Sequence, residues 1–322
     1  MTTRLSPPGA GAPPSAATPS AATPPATASG RLPRARLGTV RTVLTIAALT
    51  LREASRRRVM LALAVLTVLL LTLSGWGFSR LAAESDSGGL TTGERLLASS
   101  EILNLVMFGL SLIAALGTAF LAGPTLAGET ESGIALAVLA RPIRRSAFLL
   151  GKWLGLVAFG SIYTVLAGLA QCVVVKVTAD YWPPQPASAL ALLAAQVVVL
   201  LTLALLLSTV VSPMASGVVS VGLFGATWVA GVVGGMGVAL HNESMEQVGA
   251  VSRIVLPTDG LWRGAMHGFQ DPSVLLQLSG GDLAAFPFLS VSSLTGVYLA
   301  WSVVWVAIIW ALAATSFQRR NL

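Results

Sequence analysis

ASALALLAAQVVVLLTLALLLSTVVSPMASGVVSVGLFGATWVAGVVGGMGVA, residues 187–239, runs without a charged residue. One helix of that length is too long for any bilayer, since about 20 apolar residues cross a hydrocarbon core of roughly 30 Å. Ser212 and Pro213 interrupt the run, and a proline inside a helix removes a backbone hydrogen bond and clashes with the preceding turn. The stretch therefore reads as two spans, 187–211 and 214–239, joined by a tight turn. The same length and the same Leu, Val and Ala content recur at 59–78, 101–123, 148–175 and 294–316. Lipid offers exposed backbone groups no partner, so spans of this kind are helical. The expected fold is an all-α polytopic membrane protein with six transmembrane helices.

Composition points the same way. Of the 322 residues, 54% are hydrophobic and 10% charged, against about 25% charged in an ordinary soluble domain. The net charge of +7 could suggest nucleic acid, but the basic residues cluster at predicted helix ends. With the N-terminus inside, fifteen of the 20 Lys and Arg fall on the cytoplasmic side, from Arg4 to Arg58, Arg141 to Lys152, and Arg319 with Arg320. Arg80, Arg95, Lys176, Arg253 and Arg263 fall outside. That bias sets orientation. It predicts both termini in the cytoplasm, a multi-pass protein of the inner (cytoplasmic) membrane, and no nucleic-acid partner.

Residues 1–37 are rich in Pro, Ala and Thr and poor in large apolar side chains. They cannot offset the entropy of ordering and read as a disordered tail, with no signal-peptide pattern before Val40. From 39 to 58, Val40, Val43, Leu44, Ala47 and Leu51 recur at helical spacing beside Arg41, Arg52, Arg56, Arg57 and Arg58. This is the pattern of a helix lying in the membrane interface, with arginines toward anionic headgroups. A plain cytoplasmic extension of the first span is the alternative. Residues 240–293 are amphipathic, mixing Val251, Ile254, Leu261, Trp262 and Met266 with charges and glycines, and are expected to hold short helices dipping into the outer leaflet.

Catalytic patterns are missing. His241 and His267, the two histidines, lack His-Glu-x-x-His spacing, and the Ser216 context lacks the leading glycine of an intramembrane serine protease. The single Cys172 excludes an intrachain disulfide and reads as a small packing residue. Gly151-Lys152 is followed by Trp153 and lacks the upstream glycine, so no phosphate cradle is encoded. Neither a cofactor nor a metal site is expected on this chain.

The most informative stretch is GETESGIALAVLARPIRRSAFLLGKWLG, residues 128–155. Glu129 and Glu131 suit a helix N-terminus, the apolar run after them is too short to span, and Pro142 ends it. Arg144, Arg145 and Lys152 are expected to hold the start of the next span at headgroup level. Here the sequence resembles the ABC-2 type permeases of ATP-binding-cassette transporters, with Glu129, Glu131, Gly133, Pro142, Arg145, Gly151, Lys152 and Gly155 in the family's order. RTVLTIAALTLREASRRRVMLAL resembles the family's interfacial helix. VLPTDGLWRGAMHGF, residues 255–269, is similar to a motif of the branch that includes the nitrous-oxide-reductase maturation permease. FQRRNL resembles the family's terminus, with Asn321 replacing the usual Asp.

The resemblance covers residues 38–322 and implies a type V exporter-like permease fold, with 129–141 as a coupling helix docked on a separate ATPase subunit. Glu129, Glu131, Gly133, Pro142, Arg145 and Lys152 would carry that coupling. ATP and Mg would bind the partner, and the permease would pair as a homodimer or with a related chain. The glycine spacings Gly151/Gly155 and Gly231/Gly235 allow close helix approach, within one chain or between two. Two other readings stay open: a self-contained secondary transporter, for which Asn104, Gln171 and Gln196 are sparse polar candidates, and an ATP-driven force-transmitting complex that moves no substrate. The substrate is not legible.

Overall fold

The computed structural model describes residues 39–56, 58–86, 88–89, 91–123, 145–271, 287–290 and 293–319. Among them there is no strand, and nine helices follow in order: α1 (Thr39–Ala54), α2 (Arg58–Asp86), α3 (Thr92–Gly123), α4 (Arg145–Ala179), α5 (Pro186–Ser208), α6 (Pro213–Ala239), α7 (Glu243–Val255), α8 (Thr258–Phe269) and α9 (Gly296–Arg319). Six of them, α2 to α6 and α9, are long and apolar enough to cross a membrane. The six-span all-α architecture is the one the sequence predicts. The 1–37 tail and the 129–141 segment lie outside the described residues.

Local chemistry sets the helix ends. α3 starts at Thr92 rather than at 101 because Thr91 and Glu94 cap it reciprocally. The Thr91 N–H donates to Glu94 Oε2 at 2.8 Å, and the Glu94 N–H donates to the Thr91 hydroxyl at 3.3 Å. In the uncharged run, α5 stops at Ser208. The Ser212 hydroxyl then accepts the Ala215 N–H at 3.4 Å, and Pro213 occupies the first turn of α6. α4, at 35 residues, is about 52 Å long and outruns the hydrocarbon core.

α5 is the most buried span and α2 the most exposed. α5 packs against α3, α4, α6, α8 and α9, as expected of a helix that is hydrophobic all round. Its neighbour α4 gives way through glycines: a Cβ on Gly160 would stand 2.7 Å from Val197, and one on Gly168 would collide with Leu190. Exposed Leu61, Val65, Val68, Leu69 and Leu73 of α2 make a surface suited to lipid rather than water.

After α6 the chain turns at His241, in the left-handed region at φ 54°, and Asn242 caps α7 by accepting the Met245 N–H at 3.3 Å. α7 runs back antiparallel along α6, so close that a Cβ on Gly234 would lie 2.7 Å from the Gly249 Cα. α8 then returns along α5, with Gly264 against Leu192 and Gly268 against Ala189. The two helices form a re-entrant pair. Gln196 donates to the Thr258 carbonyl at the tip at 3.2 Å, and Gln196 lies ten residues into α5, about 15 Å from its start. The pair thus reaches the middle of the bundle, about half the thickness of a hydrocarbon core.

At the mouth of the pair, the buried Tyr181 hydroxyl donates to the Phe269 carbonyl at 2.7 Å. Loss of solvation pushes that phenol up to about 12, so it remains a donor.

Candidate functional site

Two constellations stand out, one at the start of α4 and one at the tip of the re-entrant pair. The first surrounds the opening turns of α4. Glu129, Glu131, Gly133 and Pro142 lie outside the described residues; Arg145 and Lys152 lie within them. Arg145 Nη1 donates to the Gln318 carbonyl at the end of α9 at 3.3 Å. Phe148 stacks on Phe317 of α9, ring centroids 6.3 Å apart. On the neighbouring face, α1 docks over Gly151 and Gly155. A Cβ on Gly151 would stand 2.7 Å from Ile46 Cβ, and one on Gly155 2.6 Å from the Ala47 carbonyl oxygen. These glycines serve contact within the chain.

Lys152 differs from the expectation of a headgroup-level cation. Its residue is 6% exposed, and its Nζ lies 3.7 Å from Glu53 Oε2 of α1 and 5.8 Å from the Phe148 ring centroid. It ties α1 to α4. α1 covers Val43, Thr50 and Ala54 against the bundle and leaves Val40 and Leu44 exposed, as an apolar face turned to lipid would be. Thr50 tolerates burial because its hydroxyl donates to the Ile46 carbonyl at 2.9 Å. Arg52 and Arg56 are exposed; Arg57 and the Arg58 side chain lie outside the described residues. On the other flank of segment 124–144, Gly123 of α3 abuts the Pro213 carbonyl and Ser216 of α6.

The second constellation is the re-entrant tip, which sequence reasoning missed. Asp259 is 3% exposed. Its Oδ2 accepts from Arg253 Nε at 2.9 Å and from Arg263 Nε at 3.1 Å, while Arg263 Nη2 donates to the Gly231 carbonyl at 2.6 Å. The carboxylate fills the space a side chain at position 231 would need. The signal lay in VLPTDGLWRGAMHGF: an Asp two residues past a proline, with Arg263 at i+4, reads as a pinned pair once the segment is known to be buried.

The last carbonyls of α7 have no partner within their own helix and need donors. α9 supplies three from one face: Tyr298 Oη to the Arg253 carbonyl at 3.0 Å, Trp301 Nε1 to Ile254 at 3.2 Å and Trp305 Nε1 to Val255 at 2.8 Å. From α3, Ser111 donates to Gln196 Oε1 at 2.7 Å. Gln196 thereby joins α3, α5 and the tip.

The remaining polar candidates hold helices together. Gln171 Nε2 donates to Ser74 Oγ at 2.5 Å, and Asn104 Nδ2 donates to the Phe288 carbonyl at 2.9 Å. Cys172 is buried in the core. His241 is exposed, and His267 Nδ1 lies 3.4 Å from the Ser290 carbonyl. Among the described residues, no three His, Cys, Asp or Glu side chains gather as a metal site would require.

Six spanning helices, an amphipathic helix docked at one end and a charged re-entrant pair at the other define a multi-pass membrane protein. The chain belongs to the ABC-2 family of transporter proteins: residues 44–322 match the family described as ABC-2 family transporter protein. Members of that family are membrane components of transport systems, which makes this chain a permease subunit. The match is to the family as a whole; the nitrous-oxide-reductase branch rests on the likeness of residues 255–269 alone. No curated protein resembles the chain closely enough to count as a relative.

Proposed function

We propose that this permease is the membrane half of an ATP-driven exporter of the inner membrane. Both termini lie in the cytoplasm, two copies or a copy and a related chain pair in the membrane, and a separate ATPase subunit binds ATP and Mg and grips residues 129–141. One observation carries the reading: the opening turns of α4, which directly follow that segment, are the common anchor of α1 and α9. Gly151 and Gly155 seat α1, while Arg145 and Phe148 hold the end of α9. A push on segment 129–141 would move three helices as a unit.

α9 carries that displacement across the membrane. Its far half holds the last carbonyls of α7 through Tyr298, Trp301 and Trp305, so a shift at the cytoplasmic end bears on the re-entrant tip. Differential contacts between two states are what allow ATP binding to bias such an equilibrium. The self-contained secondary transporter fits less well. The carboxylate that the re-entrant tip would offer a coupling ion, Asp259, is already claimed by two guanidinium groups.

Copurification from native membranes in mild detergent tests the proposal. An ATPase bearing a phosphate cradle should elute with the chain at a fixed ratio. Uphill transport by the chain reconstituted alone in vesicles would contradict it.

A further inference from the structure

The tip cluster carries two guanidinium groups and one carboxylate. Arginine does not lose its proton in a protein, so the described residues leave a net positive charge near the middle of the bundle, where an uncompensated ion is expensive. The nearest acidic residues along α7, Glu243 and Glu246, stand in its first turn; Glu246 is seven residues from Arg253, about 10 Å along the helix. Among the described residues no second carboxylate is paired with either arginine.

The two arginines are unequal. Arg263 is pinned, its side chain 19% exposed, with Nε on Asp259 and Nη2 on the Gly231 carbonyl. The Arg253 side chain is 33% exposed and commits Nε to Asp259. Its terminal nitrogens carry no hydrogen bond to another described residue. Beside it in α7 stand the exposed apolar side chains of Val251, Ile254 and Val255, and α9 bonds the backbone there, Tyr298 to the Arg253 carbonyl and Trp301 to that of Ile254. A half-open guanidinium fork beside exposed apolar side chains matches a planar or tetrahedral oxyanion attached to a hydrocarbon body.

We propose that Arg253 is the anion-receiving group of a binding site for amphiphiles with one phosphate, sulfate or carboxylate head. Arg263 and Asp259 position it, and the apolar frame accepts the tail. Applied to transport, this names an anionic amphiphile as the substrate class and rests on the permease reading; binding itself needs no ATPase, so the two can fail separately.

The test is native mass spectrometry of the full chain in nonionic detergent, titrated with dodecyl phosphate, dodecyltrimethylammonium or inorganic phosphate. The expected result is one dodecyl phosphate per chain, bound about tenfold or more tighter than the cationic amphiphile, the scale of a charge-assisted hydrogen bond. Inorganic phosphate, without a tail, should bind more weakly. Arg253→Gln should abolish the preference and Arg253→Lys should retain part of it. Equal binding of the two amphiphiles by the unaltered chain would overturn the proposal without any variant, as would full affinity in a folded Arg253→Gln protein. Competition by phosphatidylglycerol in the same titration would identify a membrane lipid as the occupant; indifference to it would identify a freely diffusing amphiphile. Either result upholds the site.

Discussion

The indole N–H of Trp305 donates to the carbonyl of Val255 at 2.8 Å. This bond joins the last span to the C-terminal end of α7, whose last carbonyl has no partner within its own helix. Removing one partner of such a bond leaves the other unsatisfied at a cost of about 1–3 kcal/mol. Trp305→Phe should therefore lower the melting temperature of the detergent-solubilised protein. Trp301→Phe, at the more exposed bond to Ile254, should lower it less. Equal, negligible effects would show that α9 does not hold the re-entrant pair.

Gly155 should tolerate no side chain. Its Cβ would meet the Ala47 carbonyl and Thr50 of α1 at 2.6 and 2.7 Å, and overpacking of this kind costs about 1–3 kcal/mol. Gly155→Val should release α1, read as faster tryptic cleavage at Arg41 and Arg52 in a protein that still inserts. Gly222, whose Cβ would meet nothing within 4 Å, provides the control: Gly222→Ala should leave cleavage unchanged.

Asp259→Ala strands two arginines in the bundle. Breaking a buried ion pair by removing one partner costs about 3–5 kcal/mol, and the loss should appear as reduced yield and a lower melting temperature. Gly231→Ala should act in the same direction, because its methyl group would displace the Asp259 carboxylate. If both variants melted with the unaltered protein, the cluster would not support the tip.

Removal of residues 1–30 should change neither assembly nor the coupling of ATP hydrolysis, since the Pro/Ala/Thr-rich tail lacks the apolar residues to pack on anything. Size-exclusion chromatography and ATPase rates of the truncated complex would check this. Lost assembly would assign the tail a binding role.

The spans were legible because membrane length and lipid chemistry act on each helix alone. The break at Ser212-Pro213 is the clearest case: a capping hydroxyl and an N-terminal proline are local signals, and both are used. The depth of α7 and α8 was not legible. Arg253, Asp259 and Arg263 read only as charges in an amphipathic segment until the groups that hold them are known, and some of those come from positions remote in sequence, such as Gly231 and Tyr298. The partner of Gly151 and Gly155 was hidden for the same reason. Lys152 read as an interfacial cation because Glu53, its counterpart, is far away in the chain.

The most direct test of the central claim reverses charge at Glu129 and Glu131 together and measures ATP hydrolysis by the reconstituted complex with its ATPase. The account predicts normal membrane insertion, retained melting temperature of the permease and hydrolysis reduced to the rate of the ATPase alone. Hydrolysis stimulated as fully as in the unaltered complex would contradict it.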